Sequence, residues 1–239
     1  MVKFYIREEV KSLARFAKLK EKLFLLVGGF VRDSILGRSV GDIDSAGTLS
    51  IDDIKLFCES NNCKMEIKNK KLQVVKIIFF SGFCLEYARM RVEYYASNFL
   101  HNPTMVQFTE KIEEDFARRD YTINAIYYDP QTHKVYDFAG GMSDITQGII
   151  RDIMVLGRSS LSVDPERILR GIELAERLQF AMDEETIKKM LKNFENVYKL
   201  NSDRLLECLQ KINSHNNSLL DERLKQKIKE LNDYNKNIG

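Results

Sequence analysis

The stretch Leu23-Phe24-Leu25-Leu26-Val27-Gly28-Gly29-Phe30-Val31-Arg32-Asp33 decides how this chain is read. Five apolar residues in a row predict a buried strand. Two glycines end it, and Phe30 to Leu36 continue with short helical spacing closed by Gly37. A strand that ends in glycines and turns straight into a helix aims bare backbone N–H groups and a positive dipole end at one place, which suits a phosphate. Arg32, one turn into the helix, could add a bidentate charge. Taken alone, the string also fits a tight turn carrying a surface arginine.

Working outward, residues 8–20 carry helical periodicity, and a second short strand is expected from about Asp42 to Ala46 after the Gly41 turn. Ser50 with Asp53 three residues on reads as a capping box opening a helix to about Ser60. Met65–Ile67, Leu72–Phe80 and Phe83–Met90 read as strands, split by Asn69-Lys70-Lys71 and Ser81-Gly82. Residues 91–112, punctuated by Asn102-Pro103, read as a loop. Ile123–Tyr128 is expected as a strand, returned through Lys134–Phe138. Beyond Gly140-Gly141 the pattern turns helical: Pro165–Phe180, Asp183–Phe194, Ser202–Ile212 and Leu219–Leu231. The expected organisation is an α/β head over residues 1–147, an all-helical neck over 148–213 and a short helical remnant over 214–239.

Composition excludes several classes. The chain has 239 residues, 44% hydrophobic and 30% charged, which is ordinary globular composition. Lys and Arg number 37 against 35 Asp and Glu, a formal +2 that excludes a strongly basic nucleic-acid-coating protein. No apolar run approaches the roughly 20 residues of a membrane span, and the N-terminus lacks a secretory h-region. The four cysteines form no metal-type pairing and are expected at the surface. A reducing cytoplasm is the expected compartment.

Several strings could carry chemistry. Asp42 and Asp44, at i and i+2, share one side of a strand, and two converging carboxylates repel unless a cation lies between them. Hard oxygen donors without nearby His or Cys suit Mg²⁺. Glu86 lies amid apolar strand residues, either as a third metal-site carboxylate or paired with Arg89 or Arg91. Arg118-Arg119-Asp120-Tyr121-Thr122-Ile123-Asn124 could grip triphosphate and ribose together, or form a salt-bridged helix end. Asp164 is an expected N-cap, with Pro165 at the first helical position. Asp164 and Arg167 could present an acceptor and donors to a base edge, with Arg170 one turn on. A well-capped helix with surface arginines is the alternative.

Taken in order, these strings resemble the class II tRNA nucleotidyltransferase and poly(A) polymerase family. The matches are Gly28-Gly29-Phe-Val-Arg32-Asp33, Asp42-x-Asp44, Glu86 through Arg91-x-Glu93-x-Tyr95, Arg118-Arg119-Asp120-Tyr-Thr-Ile-Asn124, Gly140-Gly141-x-x-Asp144, Asp164-x-x-Arg167-x-x-Arg170 and Ser202-Asp203-Arg204. The resemblance implies a polymerase-beta-like nucleotidyltransferase head, with a small mixed sheet flanked by helices, followed by a helical neck. It implies addition of C, A or both to tRNA 3′ ends from CTP and ATP, with two Mg²⁺ ions at Asp42 and Asp44 and pyrophosphate released. Gly28, Gly29, Arg32, Arg119, Asp120 and Asn124 would hold phosphate or sugar, Asp164 and Arg167 the base, and Arg170 would be a further nucleotide contact. A poly(A) or oligonucleotide polymerase, and a non-catalytic nucleotide- or RNA-binding subunit, are the alternatives. The chain departs from the family pattern at Val163, where Glu is usual, at Glu173, where Arg is usual, and around Lys68–Val75, where Gly-Thr is missing. Members normally continue into helical body and tail domains. The tRNA acceptor end is therefore the expected contact, with a second copy or another protein supplying further surface.

Overall fold

A computed structural model of the chain describes residues 4–39, 41–95, 103–155, 158–215 and 218–238. They divide into two compact units, one drawn from residues 1–93, 105–118 and 123–141, the other from 94–104, 119–122 and 142–239.

The first unit begins with α1 (Glu8–Leu19), whose buried Val10, Leu13, Ala14 and Ala17 recur at helical spacing. There follow β1 (Phe24–Val27), α2 (Gly29–Ile35), β2 (Ile43–Gly47), α3 (Ile51–Ser60), β3 (Lys64–Asn69), β4 (Val74–Ile78) and β5 (Cys84–Arg89). The Ser50 capping box is present: its hydroxyl accepts from the Asp53 N–H while Asp53 reaches back to the Ser50 N–H. Next come β6 (Arg91–Tyr94), β7 (Met105–Phe108), α4 (Ile112–Phe116), β8 (Ile126–Tyr128) and β9 (Val135–Asp137). Seven strands form one mixed sheet in the order β3-β4-β5-β2-β1-β8-β9. All its neighbours are antiparallel except β2 and β5, which run parallel.

One face of this sheet is apolar where it meets the helices. Tyr87, Val75 and Ile77 are buried on it, Phe24 stacks on Tyr87, and Phe57 of α3 meets Phe79 edge to face. The opposite face differs along its width. Val27 and Ala46 are buried there with Ile112 and Tyr127, whereas on β3 to β5 none of its residues is buried.

The second unit holds α5 (Gly141–Gln147), β10 (Ile149–Ile150), β11 (Met154–Val155), β12 (Arg158–Ser159), α6 (Glu166–Leu178), β13 (Ala181–Met182), α7 (Glu184–Asn193), α8 (Ser202–Asn213) and α9 (Glu222–Ile238). Its core comes from one stripe of each long helix, for example Ile168, Leu169, Ile172 and Ala175 of α6.

Four expectations need correction. Residues 91–112 are not wholly loop: β6 and β7 form a two-stranded ribbon, too short and half-exposed to leave an apolar signature; Asn102 lies outside the described residues. Strand β4 starts at Val74 rather than Leu72, because the Asn69 side chain accepts from the Leu72 N–H and Gln73 takes a left-handed φ of 48°. The region after 147 is not all-helical, since β10 pairs parallel with β13 and β11 antiparallel with β12. The cysteines are not exposed: Cys58 is buried and the other three half-buried. Among the described residues no helix is long and apolar enough to cross a membrane.

Candidate active site

In the first unit, β1 runs into Gly28, which takes a left-handed φ of 73° and caps α2 with no side chain over the helix start. A Cβ at Gly28 would lie 3.2 Å from Asp44 Oδ2, so the missing side chain lets that carboxylate stand against the turn. Asp42 is exposed just before β2, and Asp44 is half-buried opposite Val27. Between them Ile43 points the other way and is buried, as strand alternation requires.

Glu86 reaches this face by a route other than burial. It is exposed, so the cost of an unpaired buried carboxylate does not arise. Neither suggested arginine partners it. Arg89 bonds Gln73 and lies over the Phe108 ring, while Arg91 bonds Glu93 at 2.8 Å. The parallel register instead sets Glu86 directly beside Asp44, one strand spacing of about 4.8 Å away. Among the described residues no three His, Cys, Asp or Glu side chains cluster closely enough to cage a metal ion. Two carboxylates beside a phosphate-type turn fit Mg²⁺ all the same, because that ion keeps water and takes phosphate oxygens as ligands.

Arg32 is no surface arginine. It is 3% exposed, and its Nε and Nη2 each lie 2.8 Å from an oxygen of Asp33. Its Nη1 donates to Asn124 Oδ1 at 2.5 Å, which joins two of the expected nucleotide-binding residues. A Cβ on Gly29 would stand 3.3 Å from Arg32 Nη2, so the turn also borders the guanidinium.

The Arg118–Asn124 string does not act as one cluster. Arg118 Nε is ion-paired to Asp115 at the end of α4, the salt-bridged helix end that was the alternative. Asp115 is fully buried and also accepts from the Arg91 N–H and the Tyr127 hydroxyl. Arg91 is itself buried: burial and the Arg118 charge push its pKa down to about 10, against the pull of Glu93, so it stays charged at neutral pH.

Arg119 to Thr122 belong to the second unit. Asp120 is 7% exposed, with Oδ1 accepting from the Tyr121 N–H and Oδ2 from Arg170 Nη1 at 3.0 Å. Burial works to raise the Asp120 pKa, but the Arg170 and Arg167 charges outweigh it and hold it below the usual carboxylate value. The same Asp120 charge raises that of Arg170. Asp164 accepts from the Glu166 N–H and so caps α6 in substance, although Pro165 precedes the first helical residue. Arg167 is half-buried, with Nη1 3.4 Å from the Arg119 carbonyl.

Two residues here were not singled out from sequence. Tyr121 is fully buried and donates its hydroxyl to the Arg167 carbonyl at 2.6 Å. Gly171 makes room for it, since a Cβ there would stand 2.0 Å from the Tyr121 oxygen. A tyrosine inside a charged string, and a glycine inside a strong helical pattern, were the available signals.

Residues 24–151 match the family model described as the poly(A) polymerase head domain. The chain belongs to that family. Among curated proteins it is 32% identical to poly(A) polymerase I of Salmonella typhimurium, over 70% of this chain and 36% of that protein. It is 28% identical to a CCA-adding enzyme of Staphylococcus epidermidis, over 89% of this chain and 51% of that one. Among solved structures it resembles an apo CCA-adding enzyme with a TM-score of 0.75 and 28% identity, over 90% of this chain and 51% of that one. A Thermotoga maritima CCA-adding enzyme complexed with tRNA gives 0.73 and 26%, over 88% of this chain and 47% of that one. The chain thus spans about a third to a half of the length of these relatives.

Two departures from the family pattern have local explanations. Val163 is buried, 7% exposed, where a Glu would need a partner. Glu173 is paired with Arg177 at 2.7 Å, so its negative charge is neutralised within α6.

Proposed function

We propose that this family member is a template-independent RNA nucleotidyltransferase that adds C, A or both to tRNA 3′ ends from CTP and ATP, releasing pyrophosphate, and that it works in the cytoplasm. The observation that carries the reading is Asp44, with Asp42 two residues before it, set against the Gly28 turn in a poly(A) polymerase head domain.

Asp42 and Asp44 would hold Mg²⁺. When bound, the ion supplies positive charge against the triphosphate and makes the RNA 3′-hydroxyl more acidic. Glu86 adds a third carboxylate to the same face. The uncapped N–H groups at the start of α2 are free to meet phosphate oxygens. Arg32, fixed by Asp33 and Asn124, sets its guanidinium beside that turn. In the second unit, Asp164 and Arg167 would offer an acceptor and donors to the base edge of CTP or ATP. Arg119 and Asp120 would contact phosphate or ribose. Asp120 would leave Arg170 to do so, so sugar binding is expected to loosen that ion pair. A second copy or a partner protein would add further surface for the tRNA.

The match to poly(A) polymerase I supports a second reading, a poly(A) or oligonucleotide polymerase of the same chemistry. One assay separates them: single-turnover extension of tRNA ending at the discriminator base, at -C and at -CC, with ATP and CTP alone and together. Products stopping at CCA support the first reading, and long A-tails on unrelated RNA support the second. Bound nucleotide with no product on any primer would overturn both and favour a binding subunit.

A further inference from the structure

The sheet face that carries Asp44 continues outward, uncovered, over β5, β4 and β3. The register fixes this: Asp44, Glu86, Lys76 and Glu66 are lateral neighbours across four strands and therefore share one face. Lys64 lies two residues before Glu66 on the same side, and Lys68 Nζ stands 3.1 Å from Glu66 Oε2. Strand spacing puts Lys76 about 10 Å and the β3 lysines about 14 Å from the strand of Asp44.

Charge sharpens along this path. The whole chain is nearly neutral, yet residues 64–76 hold five lysines against the single acid Glu66. The β4–β5 turn adds an aromatic. Phe80 is 90% exposed, and among the described residues no ring or cation contacts it. Since β5 runs parallel to β2 and starts level with it, this turn projects from the end of the sheet where Asp42 lies. Cationic side chains along an open surface, with an exposed aromatic ring, are what a single-stranded nucleic acid needs for its phosphates and bases.

We infer that the β3–β4–β5 face is the platform for the single-stranded 3′ segment of the RNA substrate. Lys64, Lys68 and Lys76 contact its phosphates and Phe80 stacks on a base. The inference rests on the nucleotidyltransferase reading for its direction, but its test does not depend on turnover.

The test measures fluorescence anisotropy of a labelled 12-nucleotide single-stranded RNA over a range of KCl concentrations, beside KM values for RNA, ATP and CTP. Losing three phosphate contacts in K64Q/K68Q/K76Q should weaken RNA binding about tenfold and flatten the log–log salt slope by about 2. Phe80→Ala should weaken binding about tenfold with the slope unchanged. Glu66→Lys, which removes the acid paired to Lys68, should tighten it. KM for ATP and CTP should stay constant, which separates RNA phosphates from the triphosphate. The control K11Q/K18Q on α1 should leave RNA binding unchanged.

Unchanged affinity and slope in the β-face triple variant would overturn the platform, as would a response to Glu66→Lys of the opposite sign. A shift in nucleotide KM with RNA affinity intact would also overturn it, in favour of a triphosphate subsite. If RNA binds through these lysines but no primer is extended, the platform stands and the proposed activity falls. If primers are extended with RNA KM unchanged in the triple variant, the activity stands and the platform falls.

Discussion

Asp42 and Asp120 both lie in strings that point to nucleotide chemistry, and the two units treat them in opposite ways. Asp42 is exposed just before β2, with no ion pair among the described residues. Asp120 is buried, and its two oxygens are taken by Arg170 and by the Tyr121 N–H. A carboxylate left in water costs the fold little and keeps its charge for a cation that arrives later. A carboxylate taken out of water must be neutralised within the chain, and its charge then serves to fix its neighbours. The first unit therefore stores reactivity, and the second stores geometry.

The sharpest way to break this contrast is to remove Asp42 or its half-buried neighbour Asp44. Asp42→Ala and Asp44→Ala should each cut single-turnover extension by about 10³-fold or more. Tm should hold in Asp42→Ala, because that carboxylate is exposed and has no ion pair among the described residues. A large fall in Tm would show that the pair is structural after all. Asp120→Ala should lower stability as well as extension. It takes one acid from Arg170, which keeps Glu166 at 3.5 Å, and strands the Tyr121 N–H; it should cost about 1–2 kcal/mol, discounted because the Arg170 side chain is 49% exposed. Chemical denaturation of the variant would measure that loss.

Gly171→Ala tests the same frame from the packing side. The added methyl collides with Tyr121 and Met190, and overpacking should cost about 1–3 kcal/mol. A neutral result would mean that Tyr121 does not depend on this fit. A smaller effect follows from acid. Asp120 has its pKa lowered by folding, so its contribution is complete above the unfolded value near 3.8 and is lost as pH falls through the lower folded value. Stability measured below pH 4 should therefore decline less steeply in Asp120→Asn than in the parent chain. The smallest effect belongs to Ser50→Ala, which removes one partner of the α3 capping box and should cost about 1 kcal/mol.

The parts legible in the sequence are those set by near neighbours. Val27-Gly28-Gly29-Phe30 announces a strand, a turn and a helix within four residues, and Ser50 with Asp53 announces a helix start. The burial of Ile43 beside a half-buried Asp44 needs only strand alternation. What lay hidden depends on partners far along the chain. The position of Glu86 beside Asp44 follows from a parallel ladder between strands with α3 and a hairpin between them, and no local pattern encodes it. Arg32 looked like a free cation because the string cannot show that Asp33 folds back on it and that Asn124, 92 residues on, completes its shell. Arg118 and Arg119 look equivalent in sequence, yet they divide between the two units.

The parallel pairing of β2 with β5 also has a kinetic consequence. Every other neighbour in the seven-stranded sheet pairs antiparallel. The β3–β4–β5 meander joins through short turns and can form early, since little loop entropy opposes it. Seating β5 on β2 closes a far longer loop and should come later. Asp44 and Glu86 would then become neighbours only in that late step, so the carboxylates meet after much of the surrounding chain has already taken shape.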